Sequence, residues 1–251
     1  MTAAVLETRG LCKSFGFIPV AADIDFRLMP GARHALIGPN GAGKTSFVNL
    51  LTGALRPSAG SVLLNGVDVT RASQNRRARL GIARTFQINQ LFRGLSVLEN
   101  VCLAVAERTG ACNGLWRPMG ARRAVIAEAL GLLEMLKLAD IAARLVRELP
   151  YGRQRLVEIA IALGQRPKVL LLDEPAAGVP SAETHIILDV IERLPADIAL
   201  LIIEHDMAVV FRIAREITVL VAGSVLTHGV PEAIAADPRV RAVYLGKSAH
   251  E

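Results

Sequence analysis

Aromatic side chains are scarce. Phe, Tyr and Trp make up 4% of the 251 residues, so a core has to be built from Ala, Val, Leu and Ile. The shortage also weakens a nucleic-acid reading, because the densest basic group (Arg71, Arg76, Arg77, Arg79 and Arg84) has no interleaved rings on which bases could stack. Cysteines number three, Cys12, Cys102 and Cys112; an odd count at wide spacing fits neither a disulfide framework nor a zinc site. No apolar run approaches the roughly 18 residues of a membrane span. The richest stretch, Ile198 to Ile203, is strand-sized and ends in Glu204 and His205. Met1 to Arg9 has no apolar segment of the secretory kind, which predicts a cytoplasmic protein. No repeat with a period of about 20–50 residues and no low-complexity tract is found.

What is present is a chain of 52% hydrophobic and 21% charged residues, enough for a sizeable α/β core. The net charge of +6 comes from 29 basic residues, 24 of them Arg, against 23 acidic ones. The arginines read as scattered over solvated faces, and no nucleic-acid partner is expected. Short strands are predicted at Val5 to Leu11, Ile24 to Leu28, Ala35 to Ile37 and Ser61 to Leu64, separated by Gly, Pro and Asp turns. From Leu98 to Glu148 the apolar spacing becomes helical, with Val125, Ala129, Leu132 and Leu136 on one face. Strand-like runs return at Val169 to Leu172, Ala199 to Ile203 and Ile217 to Val221, with helical patterns between them. That alternation predicts crossover units on a parallel sheet, interrupted by a helical insert.

Three segments carry chemistry. Gly38-Pro39-Asn40-Gly41-Ala42-Gly43-Lys44-Thr45 matches G-x-x-x-x-G-K-[ST] between a strand and a helix-compatible run, Lys44 to Leu51. Phosphate oxygens need many close donors, and glycines let the backbone curl tightly enough to supply them. The helix that follows adds its positive end. Lys44 would reach the β and γ phosphates, and the Thr45 hydroxyl would ligate Mg²⁺. Val169 to Glu174 is an apolar strand ending in two carboxylates whose side chains point to opposite faces. Asp173 suits the metal and Glu174 the attacking water. His205 follows a third strand, at the end where ligands gather on parallel sheets, and could contact a γ-phosphate or the water.

With these residues in place, the whole chain resembles the ATP-binding subunit of an ABC transporter. Gly38 to Thr45 is similar to the family's Walker A motif, extended by Ser46. Val169 to Glu174 resembles Walker B with its catalytic glutamate, and His205 matches the switch histidine. Gln87 matches the Q-loop glutamine that senses Mg²⁺ and γ-phosphate, and Phe15 stands where the family places an aromatic ring on the adenine. Leu149-Pro150-Tyr151-Gly152-Arg153 resembles the signature that caps ATP held by an opposing chain, with Pro150 in place of the usual serine. The usual aspartate is missing from Gly178-Val179-Pro180-Ser181-Ala182-Glu183. The signature, Arg84 to Gln87, Glu174 to Gly178, Ile203 to Met207 and Ala242-Val243-Tyr244-Leu245-Gly246 together resemble the LivG-type ATPases of branched-chain amino-acid importers.

The resemblance implies an α/β fold, the P-loop NTPase cassette, with a RecA-like mixed-sheet core, an antiparallel β subdomain and an inserted α-helical subdomain. The expected division is one domain, with residues 1–88 and 149–251 forming the core and 89–148 the helical subdomain. The implied activity is ATP hydrolysis with Mg²⁺, driving uptake of branched-chain amino acids or a related small solute. Glu174, His205, Lys44 and Gln87 are the implied catalytic residues, and Thr45, Gln87 and Asp173 the metal ligands. Nucleotide contacts fall to Phe15, Gly38 to Ser46 and, from the opposing chain, Pro150, Tyr151, Gly152 and Arg153. The implied partners are a second ATPase, two transmembrane permeases and, indirectly, a solute-binding protein at the cytoplasmic face of the membrane. Urea or short-amide importers have close relatives, and a soluble ABC ATPase is the competing class.

Overall fold

A computed structural model of the chain describes residues 3–85, 91–110 and 123–245. The chain divides into two compact units, residues 1–82, 168–174 and 195–251 forming one and 83–167 and 175–194 the other.

The first unit contains two sheets. Strands β1 (Leu6–Phe15), β2 (Ile18–Leu28), β4 (Ala59–Leu64) and β5 (Val67–Asp68) form an antiparallel sheet in the order β2-β1-β4-β5. The second sheet runs β10 (Ser224–Gly229), β9 (Glu216–Val221), β3 (Arg33–Ile37), β8 (Ala199–Ile203) and β7 (Val169–Asp173). Beyond β7, at Ile82, strand β6 (Ile82–Arg84) begins. Strands β9, β3, β8 and β7 are parallel, and β10 returns antiparallel to β9. Their near-continuous Val, Leu and Ile runs are buried, as strands covered on both faces require. Helix α1 (Lys44–Thr52) packs Phe47, Val48, Leu50 and Leu51 into the core that the two sheets share. Helices α7 (Met207–Ile213), α8 (Pro231–Ala236) and α9 (Pro238–Leu245) flank β9 and β10, with Val210, Ile234 and Val240 in a second cluster.

Two arginines, Arg77 and Arg155, are buried and depart from the solvated reading. Helix α2 (Gln74–Leu80) starts on the Ser73 side chain and ends at Gly81, and its Arg77 is 1% exposed. The Arg77 guanidinium donates to the Leu50 and Leu51 carbonyls at 2.7 Å each, to Thr70 at 2.9 Å and to Ala72 at 3.3 Å. Carbonyls in the last turn of a helix lack intrahelical donors, so Arg77 satisfies the far end of α1 and opposes its negative pole. Gly53 closes the helix with φ of +80°, where a Cβ would stand 2.9 Å from Arg77 Nε.

His34 is also buried on β3, its Nε2 2.8 Å from Thr218 Oγ1. Its ring stacks on His228 at 5.7 Å and meets Phe26 edge-on. Burial, with a smaller contribution from His228, pushes its pKa down to about 4. Desolvation outweighs the half-exposed Glu216 carboxylate, which stands 3.4 Å from Nδ1 without a hydrogen bond.

The second unit is built from α3 (Val97–Arg108), α4 (Arg123–Met135), α5 (Tyr151–Gly164) and α6 (Ser181–Glu192). Helix α3 opens on a reciprocal capping box between Ser96 and Glu99. Arg108 ties α3 to α4 through both Glu128 oxygens at 2.7 Å and reaches the Gly164 carbonyl at the end of α5. Gln87 and Cys112 lie outside the described residues.

Replacing Arg77 with Met leaves four carbonyls short of a donor; it is expected to cost about 3 kcal/mol, read as a lower urea midpoint. Because the unfolded chain takes up a proton near pH 6.5 and folded His34 does not until about 4, stability falls with pH across that window. The loss is about 3 kcal/mol, complete near pH 4. Glu158, raised to about 7 by burial, works the other way over this range, so the His34 contribution is read as the difference between urea titrations of wild type and His34→Gln from pH 7 to 4.

Candidate functional site

The parallel register decides which residues meet. Leu36 of β3 pairs with Ile203 of β8, and Ile203 pairs with Asp173 of β7. Three neighbouring strands therefore deliver the glycine-rich loop, Glu204-His205 and Asp173-Glu174 from the same edge, their carboxyl ends.

The loop is shaped by backbone crowding. Gly38 has φ of +155°, and a Cβ there would strike the Leu220 carbonyl; Gly43 has φ of +99°, and a Cβ there would strike the Val20 carbonyl. Gly41, at +79°, turns the exposed crest. Ala42 accepts from Gly223 at 2.9 Å, and Gly223 in turn accepts from Ala22 at 2.8 Å, which ties the loop to β2. Gly43 is the N-cap of α1 with no side-chain cap among the described residues. The first amides of the helix thus open towards the loop, a ready anion site. Lys44 Nζ lies folded over the loop and donates to the Gly38 carbonyl at 2.6 Å and to Pro39 at 3.1 Å. Thr45 is exposed beside it and Ser46 half-buried.

Glu174 adopts φ of +46°, a left-handed conformation unusual for a residue with a Cβ. Its amide donates to the Ile203 carbonyl at 2.9 Å, which turns the side chain towards β8. His205 Nδ1 stands 3.4 Å from Glu174 Oε1 and 3.9 Å from Oε2 of the buried Glu204. Asp206 then caps α7 through the Ala208 amide at 2.8 Å, fixing the chain just after the histidine. The sequence brought Glu174 and His205 to one edge; their direct pairing, the left-handed backbone and the part of Glu204 were not legible there.

Phe15 closes the β1–β2 hairpin opposite Ile18, two residues before the Val20 that crowds Gly43. It is 53% exposed, with Lys13 Nζ 5.5 Å from its ring centre, so it is an open aromatic face rather than core.

In the other unit, Pro150 is the N-cap of α5 and offers no side-chain hydrogen bond. Gln154 Nε2 holds the Leu149 carbonyl at 2.8 Å, and Arg153 donates to the Lys137 carbonyl at 2.7 Å. Tyr151 lies over Gly178, and Gly152 faces the Glu183 carboxylate, 2.7 Å from where a Cβ would sit. One turn on, Arg155 and Glu158 form a buried pair at 3.0 Å; burial outweighs the arginine and raises Glu158 to about 7.

A sequence model described as "ABC transporter" matches residues 21–177, and one described as "Branched-chain amino acid ATP-binding cassette transporter" matches residues 224–250. The chain is 37% identical to the high-affinity branched-chain amino acid transport ATP-binding protein LivG of Escherichia coli, over 99% of this chain and all of that one. It is 35% identical to BraF of Pseudomonas aeruginosa, described in the same words, over the same shares. A crystal structure of an ATP-binding cassette of an ABC transporter in its ADP conformation superposes with a TM-score of 0.86 at 30% identity, covering 98% of this chain and all of that one.

Gly43→Ala adds a Cβ against the Val20 carbonyl at a disfavoured φ. It is expected to weaken nucleotide binding roughly tenfold or more, about 1.4 kcal/mol, while the far-UV circular dichroism is unchanged; calorimetric titration with ATP reads the affinity.

Proposed function

The chain belongs to the ABC transporter ATP-binding family, and from that premise we propose that it is the ATP-hydrolysing subunit of a branched-chain amino-acid importer. The observation that carries the reading is the convergence of the phosphate loop, Glu174 and His205 at the ends of three adjacent strands, with the last two 3.4 Å apart. The C-terminal match at 224–250 and the relatives at 35–37% identity support the solute class.

Phe15 stacks on the adenine. The amides of Gly41, Ala42, Gly43, Lys44, Thr45 and Ser46 receive the phosphates, with Gly38, Pro39 and Asn40 shaping the loop. Lys44 exchanges the Gly38 and Pro39 carbonyls for the β and γ phosphates. The Thr45 hydroxyl and Asp173 carboxylate are hard oxygen donors of the kind Mg²⁺ takes alongside substrate phosphates and water, and Gln87 joins them by family resemblance. When bound, Mg²⁺ neutralises charge on the phosphate oxygens. Glu174 orients a water and accepts its proton as the water oxygen attacks the γ-phosphorus and the bond to the β-phosphate oxygen breaks, giving ADP and phosphate. His205, steadied by Glu174, hydrogen-bonds the γ-phosphate.

A second ATPase chain, in our reading a different one, stacks head to tail and contributes its signature. In return, Pro150, Tyr151, Gly152 and Arg153 of this chain face the nucleotide of that partner. With proline in place of serine, this signature acts through the Gly152 backbone and the positive end of α5. Residues 89–148 act as the helical subdomain of a single cassette, coupling through the Gln87 region to two permeases. A solute-binding protein feeds the assembly. No described helix is long and apolar enough to cross a membrane, and the subunit works peripherally at the cytoplasmic face. Closure on ATP and reopening after hydrolysis make it a γ-phosphate switch.

The test is affinity capture of the tagged chain from detergent-solubilised membranes. Two multi-spanning proteins and a second ATPase support the reading; soluble partners alone overturn it in favour of a soluble ATPase. A captured solute-binding protein that takes urea or a short amide, not leucine, overturns the solute. Glu174→Gln is expected to keep ATP binding while turnover falls roughly a hundredfold, and Lys44→Ala to lose binding; phosphate release and nucleotide titration read the two.

A further inference from the structure

The segment Ala242 to Gly246 has no part in the mechanism above, yet its tyrosine reaches the phosphate loop. Helix α9 docks through Val240 and Tyr244, four residues apart and so on one face, onto the cluster that contains Ala35 and Ile37 of β3. Gly38 follows Ile37 directly. The Tyr244 hydroxyl is buried there without a complete hydrogen bond. The Gly38 amide points at it and draws the phenol pKa down, against burial, which raises it more. Packing alone does not account for that hydroxyl: phenylalanine would fill the same space without burying an incompletely bonded polar atom.

Gly38 begins the loop at the end of β3. Its carbonyl holds Lys44 Nζ at 2.6 Å, and a Cβ on it would strike the Leu220 carbonyl of β9. Releasing Lys44 to the phosphates frees the Gly38 carbonyl, and Tyr244 stands at the amide of the same residue.

We propose that Tyr244 is a positioning residue for the phosphate loop, its phenol oxygen accepting a full hydrogen bond from the Gly38 amide when the loop closes around nucleotide phosphates. The inference rests on the nucleotide-site reading above and makes α9 part of the support for that site. Its cost falls in the nucleotide-free state and its benefit in the bound one. A structural hydrogen bond would behave the other way, stabilising the fold with or without nucleotide.

The experiment compares wild type, Tyr244→Phe and Lys44→Ala as full chains, with ATP and Mg²⁺ as the probe. Tyr244→Phe should raise KM and Kd for ATP three- to tenfold while kcat falls less than twofold. Its melting temperature without nucleotide should equal or exceed that of wild type, and the rise on adding ATP should shrink. Equal affinity in wild type and Tyr244→Phe overturns the inference alone. So does a lower melting temperature without nucleotide together with an unchanged ATP-induced rise, which marks the phenol as a structural bond. Failure of wild type to bind ATP above the Lys44→Ala baseline overturns the nucleotide-site reading, and this inference with it.

Discussion

The parallel register of β3, β8 and β7 is the constraint on which the site depends. Leu36, Ile203 and Asp173 stand side by side across the sheet, so the loop, the histidine and the glutamate leave the sheet at one level. A slip of one residue in β8 would turn every buried side chain of Ala199 to Ile203 to the other face and carry His205 away from Glu174. The unbroken apolar runs do not by themselves fix that register; the turns and helices at the strand ends do. Asp206 is the clearest case, capping α7 immediately after the histidine.

Support for the loop comes from behind as well as in front. Arg77 is sequestered at the far end of α1, whose other end faces the loop, so a buried guanidinium and the anion site share one helix axis. Gly223, between β9 and β10, bridges the loop to β2. The antiparallel sheet therefore does more than carry Phe15: through Ala22 it holds Gly223, which in turn holds the loop at Ala42. Glycine is required at Gly43 because β2 leaves no room for a side chain.

Much of this was legible in the residues. The glycine-rich loop announces itself because few other arrangements put Gly38, Gly43, Lys44 and Thr45 at this spacing between a strand and a helix. The buried strands Val169–Asp173 and Ala199–Ile203 announce themselves by continuous apolar runs that end in charge. What was hidden follows from physics that sequence pattern does not carry. Helix α2, with the sequence QNRRARL, shows no apolar face, because its one fully buried residue is an arginine whose charge is absorbed by carbonyls from elsewhere in the chain. Strand β10 is half polar: Val225 and Leu226 pack on the aliphatic clusters while His228 stacks on His34. Tyr244 and Gly38 lie more than 200 residues apart in the sequence, and no local pattern marks their approach.

Glu174 sits where backbone and chemistry want different residues. At φ of +46° the residues that relax the peptide are glycine and asparagine, and neither could serve as the base proposed for this position. A carboxylate is kept there at a conformational cost of order 1–3 kcal/mol. Drift in a copy released from selection for turnover would therefore run downhill, each step towards Asn or Gly giving a firmer fold and a silent enzyme. A paired ATPase that has lost one of its two active sites in this way would be the sturdier half of its own dimer.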